Sequence, residues 1–189
     1  MNAPVGSSFH PGPVPAGVRI RPAITEDAPA LASIYAHYVL THTATFETEP
    51  PTVAEMERRR AAIAGTGMPY LVAEDAGRVI GYGYAGTYRP RIAYRHTVED
   101  SIYLDAAATG RGIGRALLGQ LIAASEAAGF RQMVAVIGDS ENAASVRLHA
   151  SLGFTEVGVL RDVGFKFGRW LDTVLMQRAL HPPAGAPTP

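Results

Sequence analysis

Three groups of residues in this chain could do chemistry together. They are a carboxylate, Glu99; a glycine cluster with arginines, Gly110-Arg111-Gly112-Ile113-Gly114-Arg115; and a polar trio, Asn142, Ser145 and His149. Glu99 stands among Val98, Ile102 and Tyr103. A carboxylate in an apolar stretch is costly to bury unless it is paired or used. Burial would raise its pKa, which suits a base working near neutral pH. Glu99 therefore reads either as a general base or as an edge-strand or ion-paired glutamate. The glycines permit positive φ and let another group approach the main chain closely. Asn142, Ser145 and His149 are spaced three and four apart, so a helix would put them on one face, as a groove lining requires. A histidine in such a place is either a structural hydrogen-bonder or a proton-transfer group.

Just upstream of Glu99 lies Arg89-Pro90-Arg91-Ile92-Ala93-Tyr94-Arg95. Guanidinium groups bind carboxylates and phosphinates bidentately, so this segment is either a clamp for an acidic ligand or a solvated basic loop. Arg58, Arg59 and Arg60 read as a solvated helix face.

These residues need elements to hold them. Over 97–119, Val98, Ile102 and Leu104 alternate with Glu99, Ser101 and Tyr103, the period of a strand. Ile113, Leu117, Leu118, Leu121 and Ile122 then recur at helical spacing. A glycine turn that opens a helix leaves unpaired N–H groups at the positive end of the helix dipole, a ready anion site. The alternative is a tight strand-to-helix turn with two solvated arginines. Two familiar phosphate loops are excluded. The dinucleotide fingerprint needs glycine where Arg115 stands, and no Gly-Lys-Ser/Thr tripeptide is present.

Elsewhere, 18–21 alternates as a strand, and Thr25 reads as the cap of an amphipathic helix carrying Leu31, Ile34, Tyr35, Tyr38 and Val39. A polar loop over 41–48 holds Phe46. Thr52-x-x-Glu55 predicts a capped helix to about residue 64. Strands over 69–74 and 78–82 flank a turn at Asp75-Ala76-Gly77. Gly81 and Gly83 suggest a bulge or a close backbone approach. A buried strand over 132–137, a short helix over 142–152 stopped by Gly153, and strands over 155–161 and 165–178 complete the series. The expected fold class is α/β: a mixed, largely antiparallel sheet of about seven strands with helices on both faces. Residues 1–17 and 181–189, rich in proline, are expected to be disordered tails around one domain at 18–180.

Composition bounds the partners. The 189 residues are 47% hydrophobic, and Lys plus Arg equals Asp plus Glu at 17 each. A net charge of zero argues against a nucleic-acid or anionic-membrane surface. The absence of cysteine excludes disulfides and thiolate chemistry and fits a reducing cytoplasm. No apolar run approaches the roughly 18 residues of a membrane span, and the N-terminus does not read as a signal peptide.

The turn Thr109-Gly110-Arg111-Gly112-Ile113-Gly114 resembles R/Q-x-x-G-x-G/A, the pyrophosphate loop of the GNAT superfamily of acyl-CoA N-acyltransferases, with Thr109 where Gln or Arg is usual. The similarity extends further. The runs at 94–103, at 134–138 and at Asn142-x-x-Ser145-x-x-x-His149-x-x-x-Gly153-Phe154, with the early 43–50, resemble the phosphinothricin / methionine sulfoximine N-acetyltransferase branch over about residues 18–180.

That resemblance implies acetyl-CoA as co-substrate with no metal, a small amino acid or analogue as acceptor, and a homodimer. It implies that the main chain of Ile102, Tyr103 and Leu104 pairs with the pantetheine arm. It gives the pyrophosphate to Gly110, Arg111, Gly112, Ile113, Gly114 and Arg115, and further cofactor contacts to Asn142 and Ser145. Glu99 would be the base, and His149 stands where many relatives carry a tyrosine that protonates the departing thiolate. Phe46, Arg91, Tyr94 and Arg95 would face the acceptor. Two other readings stay open at this point: an acetyltransferase for a different amine, such as a protein N-terminus or an aminoglycoside, and a non-catalytic acyl-CoA sensor. A polyamine acceptor would call for acids where this chain has arginines.

Overall fold

Alternating and helical apolar patterns become a seven-stranded sheet in the order β1-β2-β3-β4-β5-β7-β6. The computed structural model describes residues 11–181. Its elements are β1 (Val18–Pro22), α1 (Ala28–Thr41), α2 (Val53–Gly65), β2 (Tyr70–Asp75), β3 (Arg78–Thr87), β4 (Thr97–Leu104), α3 (Ile113–Ala127), β5 (Gln132–Gly138), α4 (Ala143–Ala150), β6 (Thr155–Lys166) and β7 (Arg169–Ala179). β4 and β5 run parallel, while the other neighbouring strands run antiparallel.

Each face of the sheet has its own core. On one, Leu31, Tyr35 and Val39 of α1 and Met56 of α2 cover Tyr70, Val72, Tyr82 and Tyr103. On the other, Leu117, Leu118, Leu121 and Ile122 of α3 cover Val98, Met133 and Ala135, with Leu148 of α4 packed alongside. Burying such side chains contributes about 1.5–3 kcal/mol each. Helices on both faces are what the sequence led us to expect.

The feature that matters for function is a failure of pairing. β4 and β5 are in register only from Thr97 opposite Gln132 to Asp100 opposite Ala135. Both strands continue, to Leu104 and Gly138, but apart. On the other side of β4 the ladder with β3 is unbroken from Val98 to Leu104. The β3 glycines supply the close approach expected of them. A Cβ at Gly81 would collide with Leu104, and one at Gly83 with Ile102.

Several local expectations change. Thr25 does not cap α1. A short 3-10 turn, Thr25–Asp27, precedes that helix, and the Asp27 carboxylate takes the Ile24 N–H at 2.8 Å. Thr52 does cap α2, accepting from the Glu55 N–H at 3.1 Å. Arg59 and Arg60 are not simply solvated: they pair with Glu47 at 2.7 Å and Glu57 at 2.6 Å. The break expected after residue 161 is a bulge inside one long strand, with Asp162 at φ 53°. The hairpin turn falls instead at Phe167 and Gly168, both with positive φ. Of the expected tails, 1–10 and 182–189 lie outside the described residues. Pro11 and Pro15, however, pack on α3 and its preceding turn, 3.3 Å and 3.9 Å from where Cβ atoms on Gly119 and Gly112 would sit.

Candidate active site

The gap between β4 and β5 is a cleft of about 390 Å³. Residues 100–104 form one wall and 135–138 the other; Ser145 and His149 of α4 close one side, and Gly110, Gly112, Gly114 and Arg115 lie at its end. The Asp105 N–H donates to the Ile80 carbonyl at 2.9 Å. Antiparallel alternation then turns the main-chain groups of Ile102 and Leu104 away from β3 and into the gap. Those of Leu104 are claimed by a side chain: the Tyr38 hydroxyl donates to its carbonyl at 2.9 Å and accepts from its N–H at 3.3 Å. Ile102 is thus the strand residue whose amide faces the cleft.

At the end of the cleft, Gly110 and Gly112 have φ of 74° and 78°. Gly112 is the N-cap of α3, and its carbonyl accepts the first helical bond from Ala116 at 3.1 Å. The N–H groups of Ile113, Gly114 and Arg115 are the unpaired donors of that helix start. The side chains beside them are occupied. Arg111 pairs with Asp75 at 2.6 Å, and Arg115 donates to the Ser151 carbonyl at 2.9 Å. Ile113 is fully buried in a small core with Ala73, Ile80 and Ala108, so it serves the turn through its amide only.

Glu99 is half-buried and shares its strand face with Ser101 and Tyr103, both of which line the cleft, although Glu99 itself lies just beyond the lining. Burial pushes its carboxyl above the ordinary glutamate range, Asp100 pushes the same way, and Arg89 opposes. Glu99 is not the only acid buried in β4. Asp100, one position on and on the other face, is more deeply buried and meets His149 at 3.0 Å from Oδ2 to Nε2. On the far side of the ring, Nδ1 donates to the Ser145 carbonyl at 2.8 Å. Burial would lower the His149 pKa, but the Asp100 carboxylate and the Ser145 carbonyl outweigh it, and the net shift is upward. Asn142 lines the cleft while its Oδ1 caps α4 by accepting from the Ser145 N–H at 3.3 Å.

The residues expected to face an acceptor are placed unequally. Phe46 lies over Gly138 and Gly164; a Cβ on Gly138 would come within 3.0 Å of its ring, and one on Gly164 would collide with it. Its loop is fixed by buried Lys166, which donates to the carbonyls of His42 and Thr45 at 2.8 Å each. Arg91, Tyr94 and Arg95 are exposed on the segment between β3 and β4 and are not part of the cleft lining. Tyr94 packs edge-on to Tyr88 at 5.7 Å, and Arg89 stacks on Tyr88 at 5.2 Å.

A splayed parallel pair has a glycine turn at its end and a raised carboxylate beside it, and the family model for the acetyltransferase (GNAT) domain matches the chain over residues 20–175. The chain belongs to the GNAT acetyltransferases. It is similar to the phosphinothricin N-acetyltransferase of Alcaligenes faecalis, 54% identical over 162 residues, covering 86% of this chain and 82% of that one. It is likewise similar to the L-methionine sulfoximine/L-methionine sulfone acetyltransferase of Pseudomonas aeruginosa, 43% identical over 169 residues, covering 89% and 98%. Among solved structures, a GNAT phosphinothricin acetyltransferase from Sinorhizobium meliloti in complex with AcCoA aligns with a TM-score of 0.85 and 47% identity, covering 90% of this chain and 95% of that one.

Two GNAT-fold residues escaped the sequence reading. Tyr38 sits in an ordinary amphipathic helix, and nothing in its spacing marks a hydroxyl that reaches a strand 66 positions away. Asp100 could have been noticed: it is a second acid in the same apolar strand, on the face that the alternation assigns to the α3 core.

Proposed function

We propose that this protein transfers the acetyl group of acetyl-CoA to the amine of a small amino acid or analogue of the phosphinothricin / methionine sulfoximine type. The observation that carries the reading is the cleft itself, which joins an amide-lined helix start to the open edge of β4 and passes within one residue of Glu99. The residues present fit acetyl-CoA. Gly110 leaves open space where a side chain would stand, so the turn can admit a diphosphate against its amides. Acetyl-CoA supplies an activated acyl group on a thiol leaving group.

The chain's own residues do the rest. Glu99 takes a proton from the acceptor ammonium, since only the free amine attacks. The Ile102 amide donates to the oxygen on which negative charge develops. The turn from Gly110 to Arg115 and the N-cap region at Asn142 and Ser145 hold the donor, so that the two reactants meet in a fixed geometry. Arg91, with Tyr94, Arg95 and Phe46, binds the acceptor's acidic group and side chain. Exposed Val157, Leu160, Val163, Phe165 and Trp170 on the edge hairpin β6–β7 make an apolar surface suited to a homodimer. We place the domain at 18–180 and the protein in the cytoplasm.

The test is thiol release from acetyl-CoA with a panel of amino acids that includes phosphinothricin and methionine sulfoximine. Turnover with these acidic acceptors is expected. Acetyl-CoA binding without turnover on any amine would make the protein a sensor.

A further inference from the structure

His149 is held by both ring nitrogens. Nδ1 lies 2.8 Å from the Ser145 carbonyl, which can only accept, so Nδ1 carries a proton. Nε2 faces the Asp100 carboxylate at 3.0 Å, a contact that also requires a proton between the two atoms. The pair is deeply buried in the cleft wall, with side-chain exposures of 5% for His149 and 1% for Asp100. Ser145 is different. It lines the cleft as they do but is only half-buried, and its Oγ stands 3.4 Å from the same Nδ1.

We infer that Asp100, His149 and Ser145 form a proton-delivery line, in which Asp100 positions His149 and the Ser145 hydroxyl hands a proton to the departing sulfur. This rests on the acetyl-transfer reading above. As the C–N bond forms and the C–S bond breaks, sulfur keeps the bonding electron pair and takes the Ser145 hydroxyl proton. Ser145 Oγ recovers a proton from His149 Nδ1. His149 is left neutral, with its remaining proton on Nε2 held by Asp100. The nitrogen loses two protons in all, both through Glu99 to solvent, and His149 Nδ1 takes one back from solvent before the next turnover, so the net result is one proton on sulfur and one released.

The surroundings leave Asp100 as the charge that acts on His149. β5, which packs on α4, carries no titratable residue. On β6, Glu156, Arg161 and Asp162 are exposed, and Lys166 is bonded to the loop after α1. On α4 itself Arg147 is exposed, and Arg115 of α3 and Arg178 of β7 donate to carbonyls after its last turn. Glu99 lies on the opposite face of β4.

The test is the pH profile of kcat for acetyl transfer in three variants. His149 must be protonated to deliver, so the rate falls on the alkaline side as it loses its proton. Asp100→Asn removes the carboxylate and should move that limb to lower pH, with KM for acetyl-CoA within about twofold. Ser145→Ala should lower kcat by about tenfold or more and flatten the same limb, and it serves alone if Asp100→Asn does not fold. Glu99→Gln should erase the acid limb and leave the alkaline one. A merely structural role for Asp100 or Ser145 would scale the whole profile without moving a limb, and that result overturns the inference. A wild type that releases no thiol with any amine overturns the acetyl-transfer reading instead.

Discussion

The glycine turn before α3 and the segment between β3 and β4 both carry arginines near an expected anion, yet they are built in opposite ways. In the turn, Arg111 and Arg115 are tied to Asp75 and Ser151, and main-chain amides are what the cleft meets. In the segment, Arg91 and Arg95 are exposed, and the internal bonds are short-range: the Tyr94 N–H to the Arg91 carbonyl at 2.9 Å and the Arg95 N–H to the Ile92 carbonyl at 3.1 Å. If the segment binds the acceptor as proposed, its exposed side chains must be ordered on binding, a cost that the turn, with its arginines already tied, does not meet. On the proposed reading, a common donor is bound by a fixed frame, and acceptor choice falls to a segment that can vary without disturbing it.

The sharpest way to break this contrast is between the two sites, at Glu99. Glu99→Gln should lower kcat by about 10² or more at neutral pH while leaving acetyl-CoA binding intact. The wild-type rate should fall as pH drops through a carboxyl pKa above the ordinary glutamate range, because the working form is the ionised one and burial raises that pKa. Unchanged turnover in the variant would take Glu99 out of the chemistry.

On the acceptor side, Arg91→Ala should raise KM for an acidic acceptor by about tenfold, the worth of one charge-assisted hydrogen bond, and spare KM for acetyl-CoA. Equal effects on both constants would mean that the two regions are not independent. On the donor side, Gly112→Ala forces a side chain into φ of 78° beside Pro15. That should cost about 1 kcal/mol, read as a lower Tm and a weaker Kd for acetyl-CoA, with acceptor KM unmoved. The smallest effect is expected from Arg89→Ala. Removing the charge that opposes burial at Glu99 should shift the acid limb of kcat slightly upward in pH.

What could be read from the sequence follows the same division. The β4 alternation, the glycines at 110, 112 and 114 and the capped α4 helix are local patterns, and each fixes the main chain where it stands. The cleft was reachable from them because main-chain geometry builds most of it. Asp100 opposite His149 and Tyr38 on Leu104 depend on side chains from distant parts of the chain meeting across the sheet, separated by 49 and 66 positions. No spacing rule encodes such meetings. The misplaced break near Asp162 has a related cause. Asp162 and Gly164 are residue types common in turns, so they look like a break when only the local residues are weighed, but pairing with β7 resumes at Gly164 and carries the strand through a bulge with Asp162 at φ 53°.

That long strand has one more effect. Along its last residues Val163 and Phe165 point outward, while Gly164 and Lys166 point inward, the glycine leaving room for the Phe46 ring and the lysine gripping the loop that carries it. A partner pressed on the outer side of the hairpin would therefore lean, through a single thickness of backbone, on the loop that carries Phe46 along the cleft wall at Gly138.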